Sequence, residues 1–238
     1  MKRLNFFAVL LLFSSVISCA FTGTKMGAED ATAHYKLGVA FLDTNKIQKA
    51  FVEFQKAYEF NPNDQRVLNA IGIIYLLHFN ETEESIKYFK KAIKIDRDYS
   101  DANNNLGYAY EKSGRYETAI SYYQKAVSNL TYPTPEKAFI SMGNSYYRLG
   151  RFASAVKSYI EAIKRAPDLS SPYLGLALCF NALGRYGDAS SAMTKAIKLD
   201  PGYEGDTERA REDLELKKYK ATGADAQDIR DYLEILNY

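Results

Sequence analysis

The sequence predicts an all-α fold made of five helical hairpins in tandem, followed by two further helices. Two observations carry that prediction. A pair of one large apolar and one small residue recurs as Leu37-Gly38, Ile71-Gly72, Leu106-Gly107, Met142-Gly143 and Leu176-Ala177, at intervals of 34, 35, 36 and 34 residues. Midway through every unit stands a residue that tolerates left-handed backbone: Asn45, Asn80, Gly114, Gly150 and Gly184. Helices often end on such a residue. A helix–turn–helix unit of this length cannot bury its own apolar face, so units of this kind are stabilised by stacking on their neighbours.

Within each unit the remaining places follow from how two helices cross. An aromatic follows the apolar-small pair (Phe41, Tyr75, Tyr110, Tyr146, Phe180). Next come a small residue (Ala50, Ser85, Ala119, Ala155, Ala189), a large one (Phe54, Phe89, Tyr123, Tyr159, Met193) and an alanine (Ala57, Ala92, Ala126, Ala162, Ala196). Small side chains let two backbones approach, and large ones fill the space beside the crossing. Pro62, Pro167 and Pro201 close three units, and Ser171-Pro172 supplies an N-cap and a first-turn proline for the fifth. This pattern resembles the tetratricopeptide repeat at nearly every signature place. The resemblance implies a right-handed superhelical solenoid with C-terminal capping helices.

The units fall at 31–64, 65–99, 100–135, 136–169 and 170–203. The second has one extra residue near His78–Glu81, and the third ends in two extra residues at Leu130–Pro135. Over 204–238 the pattern fades into two amphipathic stretches. Thr207–Lys220 carries Ala210, Leu214 and Leu216, and Asp225–Leu236 carries Ile229, Leu233 and Leu236. These suit the polar-faced cap that a solenoid needs.

Residues 1–18 read as a leader. Lys2 and Arg3 precede the apolar run Phe6–Phe13, which is too short to span a bilayer. Val16-Ile17-Ser18-Cys19 resembles a lipobox, which implies lipidation at Cys19 and a tether over 19–30; Ile17 is bulkier than usual there. A plain secretory signal and an uncleaved anchor are the alternatives. Lipidation would place the chain in the cell envelope, facing the periplasm. Ala20, rather than Asp, points to the outer membrane.

Composition excludes several functions. The chain has 31 basic and 29 acidic residues, and losing Lys2 and Arg3 would leave the charges balanced. That balance offers no footprint for nucleic acid. Cys179, the only other cysteine, sits in an apolar run with no thiol or metal-spaced partner and reads as core. His34 and His78 lie in different units without ligand-spaced partners, so no metal is expected, and His34 reads as packing. Asp96-x-Asp98-x-Ser100 lacks the glycine and glutamate of a calcium loop. With no phosphate loop or nucleophile elbow either, neither a cofactor nor an enzymatic role is expected.

In tetratricopeptide proteins the first (A) helix of each hairpin lines the concave face. The resemblance therefore assigns a partner groove to Tyr35, Val39 and Leu42, then Ile73, Leu76 and Leu77. Asn104, Tyr108, Ile140, Asn144, Tyr147, Leu174 and Leu178 continue it. Such a tyrosine-rich apolar surface suits an apolar or amphipathic peptide segment. It is unlike the carboxylate clamp of chaperone-binding repeats, whose Lys and Asn places hold Tyr35 and Val39 here. Asn104-Asn105-Leu106-Gly107, Gly114-Arg115-Tyr116 and the Tyr132–Pro135 junction, together with the lipobox, resemble the type IV pilus biogenesis pilotins (PilF, PilW, Tgl). That resemblance implies an outer-membrane lipoprotein whose partner is the pilus secretin. It departs at 204–238, where no sixth repeat is spelled. An envelope adaptor for peptidoglycan enzymes is the alternative.

If the lipobox is read as such in the cell, clickable palmitate should label the wild type and leave Cys19→Ser unlabelled. A labelled variant would remove the assignment.

Overall fold

The computed structural model describes residues 27–238, so Cys19 and most of the tether lie outside the described part. Twelve helices and no strands are found among the described residues. Helix α1 covers 27–43, and α2 (Ile47–Phe60), α3 (Gln65–Leu77) and α4 (Thr82–Ile95) follow. Next come α5 (Ser100–Lys112), α6 (Tyr116–Ser128), α7 (Pro135–Arg148) and α8 (Phe152–Arg165). The series ends with α9 (Ser171–Ala182), α10 (Tyr186–Leu199), α11 (Thr207–Lys218) and α12 (Gly223–Ile235). The chain divides into two compact units, one up to Tyr99 and one from Ser100 to Tyr238.

Each hairpin turns as its sequence requires. Asn45, Asn80, Gly114, Gly150 and Gly184 have φ of 54°, 56°, 72°, 70° and 71°. Only the left-handed region lets the next residue's N–H fold back on the helix it leaves. Lys46, Arg115, Arg151 and Arg185 accordingly donate to the carbonyls of Phe41, Tyr110, Tyr146 and Phe180, at 2.8–2.9 Å. In the second hairpin Glu81 reaches one residue further back, to Tyr75 at 2.8 Å, which absorbs the extra residue.

Where the paired helices cross, glycine meets an aromatic ring. A Cβ on Gly38 would stand 2.6 Å from the Phe54 ring, and one on Gly72 2.6 Å from Phe89. Gly107 and Tyr123 would meet at 2.7 Å, and Gly143 and Tyr159 at 2.6 Å. The rings themselves are buried: Phe54, Phe89 and Tyr123 have no exposed surface. The alanines predicted at the crossings are likewise buried, and so is Ser85.

Two local features depart from the sequence reading. The fifth A helix is capped by Ser170 rather than Ser171, and no side-chain capping bond forms. Pro172 therefore falls in the second helical position, where its missing N–H is still harmless. At the wider junction after α6, Tyr132 turns inward and is 5% exposed, while Leu130 is almost wholly exposed. The two C-terminal helices form where the apolar spacing placed them. Ala210 and Leu214 bury one side of α11, and Leu233 and Ile235 one side of α12.

The crossing predicts opposite effects for two glycines. Gly143→Ala should destabilise the fold by about 1–3 kcal/mol, because the Tyr159 ring must shift. Gly187→Ala, with nothing within 4 Å of the added carbon, should be neutral or stabilising by up to about 1 kcal/mol. Urea denaturation measures both, and equal effects would contradict the close crossing.

Candidate partner-binding surface

In the N-terminal unit the A helices are α1 and α3. Tyr35, Val39 and Leu42 sit at helical spacing on α1 and are half-buried against a core of Phe54, Ala57, Val67, Ile71 and Ile74. The Tyr35 ring lies 5.8 Å from Phe54, and the Arg66 guanidinium covers it at 5.1 Å. Arg66 is fixed in turn by Asp64, at 2.6 Å. On α3, Ile73 is half-buried and Leu77 is 54% exposed. Leu76 is 2% exposed and belongs to the core, so it is not part of an open groove.

In the C-terminal unit the A helices are α5, α7 and α9. Tyr108 on α5 is 38% exposed. Nearby on the same helix, the Asn104 side-chain oxygen is buried without a hydrogen-bond partner. Asn144 on α7 is engaged, accepting a hydrogen bond from the Tyr159 hydroxyl at 2.7 Å. Tyr147 and Leu174 are half-buried, and Leu178 is buried. Leu178 is 5% exposed, and Tyr147 and Leu174 pack into one cluster with Ile229, Tyr232 and Leu236 of the C-terminal segment.

What covers Tyr147 and Leu174 is α12. This helix contacts α9, α10 and α11 and reaches α7 through Arg148. The Arg148 guanidinium donates to both carboxylate oxygens of Asp228, at 2.9 and 2.5 Å. Such two-pronged pairing fixes orientation as well as charge. Burial beneath α12 pushes the Tyr147 hydroxyl well above its usual range, with Asp228 and Asp231 adding to the effect. The sequence showed the apolar stripe of α12 but not where that stripe docks, since Arg148 and Asp228 are 80 residues apart.

Two single side chains complete the comparison with the sequence. Cys179 is fully buried, and that burial alone pushes its thiol up to about 12, so it is a poor nucleophile. His34 does pack, stacked on Phe60 with ring centres 5.5 Å apart. Yet it also has a carboxylate partner that sequence spacing did not show: its Nδ1 is 2.5 Å from Glu53 Oε2. The two meet because α1 and α2 run back past each other.

A buried polar group beside the α5–α6 crossing was also missed. The Tyr123 hydroxyl donates to Glu111 Oε2 at 2.5 Å, and Ser145 Oγ donates to the same oxygen at 3.2 Å. Burial nevertheless raises the Glu111 pKa above its ordinary value, outweighing both bonds.

Comparisons with known proteins agree with this geometry. Tetratricopeptide-repeat family models match residues 22–65 and 65–99, and the model for the cilia and flagella-associated protein 70 C-terminal domain matches 95–205. The chain is 26% identical over 203 residues to stress-induced-phosphoprotein 1 of Caenorhabditis elegans, covering 71% of this chain and 62% of that one. It is also 26% identical over 160 residues to the type IV pilus assembly protein PilF of Pseudomonas aeruginosa, covering 64% and 63%. The chain thus spans less than two thirds of either relative. Among solved structures, PilW, a type IV pilus biogenesis factor, superposes with a TM-score of 0.70 at 20% identity, covering 85% of this chain and 90% of that one. A structure of P. aeruginosa PilF does so at 0.70 and 18%, covering 88% and 90%. At those identities the likeness is one of fold.

The raised Glu111 pKa fixes the sign of a pH effect. A carboxyl whose folded pKa lies above its unfolded value stabilises the fold below the unfolded value of about 4.5, and that contribution is lost as pH rises through the folded value. The stability of the wild type relative to Glu111→Gln should therefore fall between pH 4 and neutrality. Urea titrations across that range test it, and a flat difference would mean the carboxyl is not perturbed.

Proposed function

We propose, from the premise that the chain is a tetratricopeptide-repeat protein, that it is a lipid-anchored envelope scaffold assisting assembly of a type IV pilus secretin. Support comes from pairing the lipobox-like sequence ending at Cys19 with a fold like that of PilW over most of both chains. The partner is a protein segment, apolar or amphipathic, held on A-helix side chains. The membrane contact is the lipid on Cys19, placing the repeats in the periplasm.

On the A-helix surface of each unit taken by itself, side chains that stay exposed carry binding, since a buried one cannot lose water to a partner. Leu77 in the N-terminal unit and Tyr108 in the C-terminal unit meet that condition, with Tyr35, Val39, Leu42 and Ile73 as half-buried support. Tyr147 and Leu174 serve α12 instead, and Leu178 is buried. A role like that of the chaperone-binding clamps is disfavoured by Tyr35 and Val39 at the clamp places.

Leu77→Ala and Tyr108→Ala should keep the helical circular-dichroism signal, because both side chains are exposed. Together they should weaken secretin capture by about 2 kcal/mol or more, the scale of an interface hot spot, and reduce secretin multimers in membranes. Normal multimers in a strain lacking the whole chain would overturn the pilus reading. Altered cell shape in that strain would favour recruitment of peptidoglycan enzymes.

A further inference from the structure

The C-terminal helices enclose a space that their own side chains do not fill. A largely enclosed cavity of about 220 Å³ lies among α9, α10, α11 and α12. Its apolar wall includes Leu174, Met193, Ile197, Leu214, Ile229 and Tyr232. Native interiors leave few voids larger than a water molecule. An apolar cavity of about 150 Å³ stays dry and takes up benzene. A larger apolar cavity therefore has room for a larger apolar guest.

The polar groups on the wall are Asp200, Tyr203 and Lys217. All are engaged within the chain. Lys217 Nζ is 2.5 Å from Asp213 Oδ2, the Tyr203 hydroxyl donates to the same carboxylate, and Asp200 Oδ1 accepts from the Gly202 N–H at 2.8 Å. Because Asp213 neutralises Lys217, the Asp200 carboxylate is left as the net charge of this wall, and it repels a guest with a carboxylate head. No unpaired cation remains there to hold one.

We propose that this cavity binds one neutral apolar molecule, bulkier than benzene, of the class of a medium-length alkyl chain with an uncharged head. Met193 and Ile197 on α10 would meet the guest from one side, and Ile229 and Tyr232 on α12 from the other. A guest seated there would join the terminal cap to the last hairpin and stabilise the folded state by mass action.

The probe is 1-octanol, titrated into the full chain carrying methyl-labelled methionine, with octanoate as its charged counterpart. The Met193 methyl resonance should shift saturably with octanol while that of Met142, outside the cavity, stays still. Octanoate should bind at least about tenfold more weakly, because its charge would be desolvated beside carboxylates. Ala196→Leu, which fills the cavity from α10, should abolish the Met193 response. Where that variant does not fold, Ile229→Phe fills the space from α12 and serves the same purpose. Absence of a saturable Met193 shift, an equal shift at Met142, or undiminished binding by a folded filling variant would each overturn the proposal. Octanoate binding as tightly as octanol would overturn its choice of a neutral head.

Discussion

The structure depends on how closely a glycine of one helix can approach an aromatic ring of the next. Gly38, Gly72, Gly107 and Gly143 each leave room for a buried ring that an ordinary Cβ would strike at 2.6–2.7 Å. The approach sets the crossing, and the crossing sets which side chains of the A helix stay outside. The fifth hairpin shows the constraint by changing both partners at once. Ala177 replaces the glycine, and Met193, an unbranched and adaptable side chain, replaces the ring. One ring also links successive hairpins. Tyr159 on α8 fills the space beside Gly143 on α7 and beside Gly175 on α9, where a Cβ would stand only 2.2 Å away. Coupling between neighbours is thus built from the same contact as the hairpin itself.

Changing the ring from phenylalanine to tyrosine has a consequence for the A-helix surface. Phe54 and Phe89 need nothing beyond space, whereas a buried tyrosine hydroxyl needs a hydrogen-bond partner. Glu111 supplies it for Tyr123, and Asn144 for Tyr159. Both partners stand on A helices, and Asn144 occupies a place that the sequence assigns to the groove. Asn144 is therefore partly a structural residue, and Glu111 carries a raised pKa because it is buried, even though the Tyr123 hydroxyl bonds to its charged form.

The hairpins were legible because their signals are local. A left-handed turn, a small residue and a large one at fixed offsets are all set within one unit, so the five positive-φ positions were readable from Asn45 to Gly184. The surface was less legible because exposure depends on neighbours distant in sequence. Leu76 and Leu77 are adjacent and equally apolar, yet one is 2% exposed and the other 54%. A helical stripe predicts that α12 docks, but the site of docking depends on Arg148, in a helix five places earlier in the chain. The His34–Glu53 contact was hidden for the same reason, since it joins two antiparallel helices across a turn.

The seat of α12 also says what kind of contact an A helix of this chain can make. Its cover over α9 combines an apolar stripe of Ile229, Tyr232 and Leu236 with a carboxylate clasped by Arg148. The apolar part supplies area removed from water, and the charged part fixes register and direction. Neither would suffice alone: a stripe without the clasp could slide by a turn, and a clasp without the stripe would be a surface ion pair worth little. Because the chain fills this seat itself, Tyr147 and Leu174 are committed to folding. Among the apolar A-helix side chains that the sequence assigns to a groove, Leu77 and Tyr108 are the ones left exposed, without an internal cover of that kind.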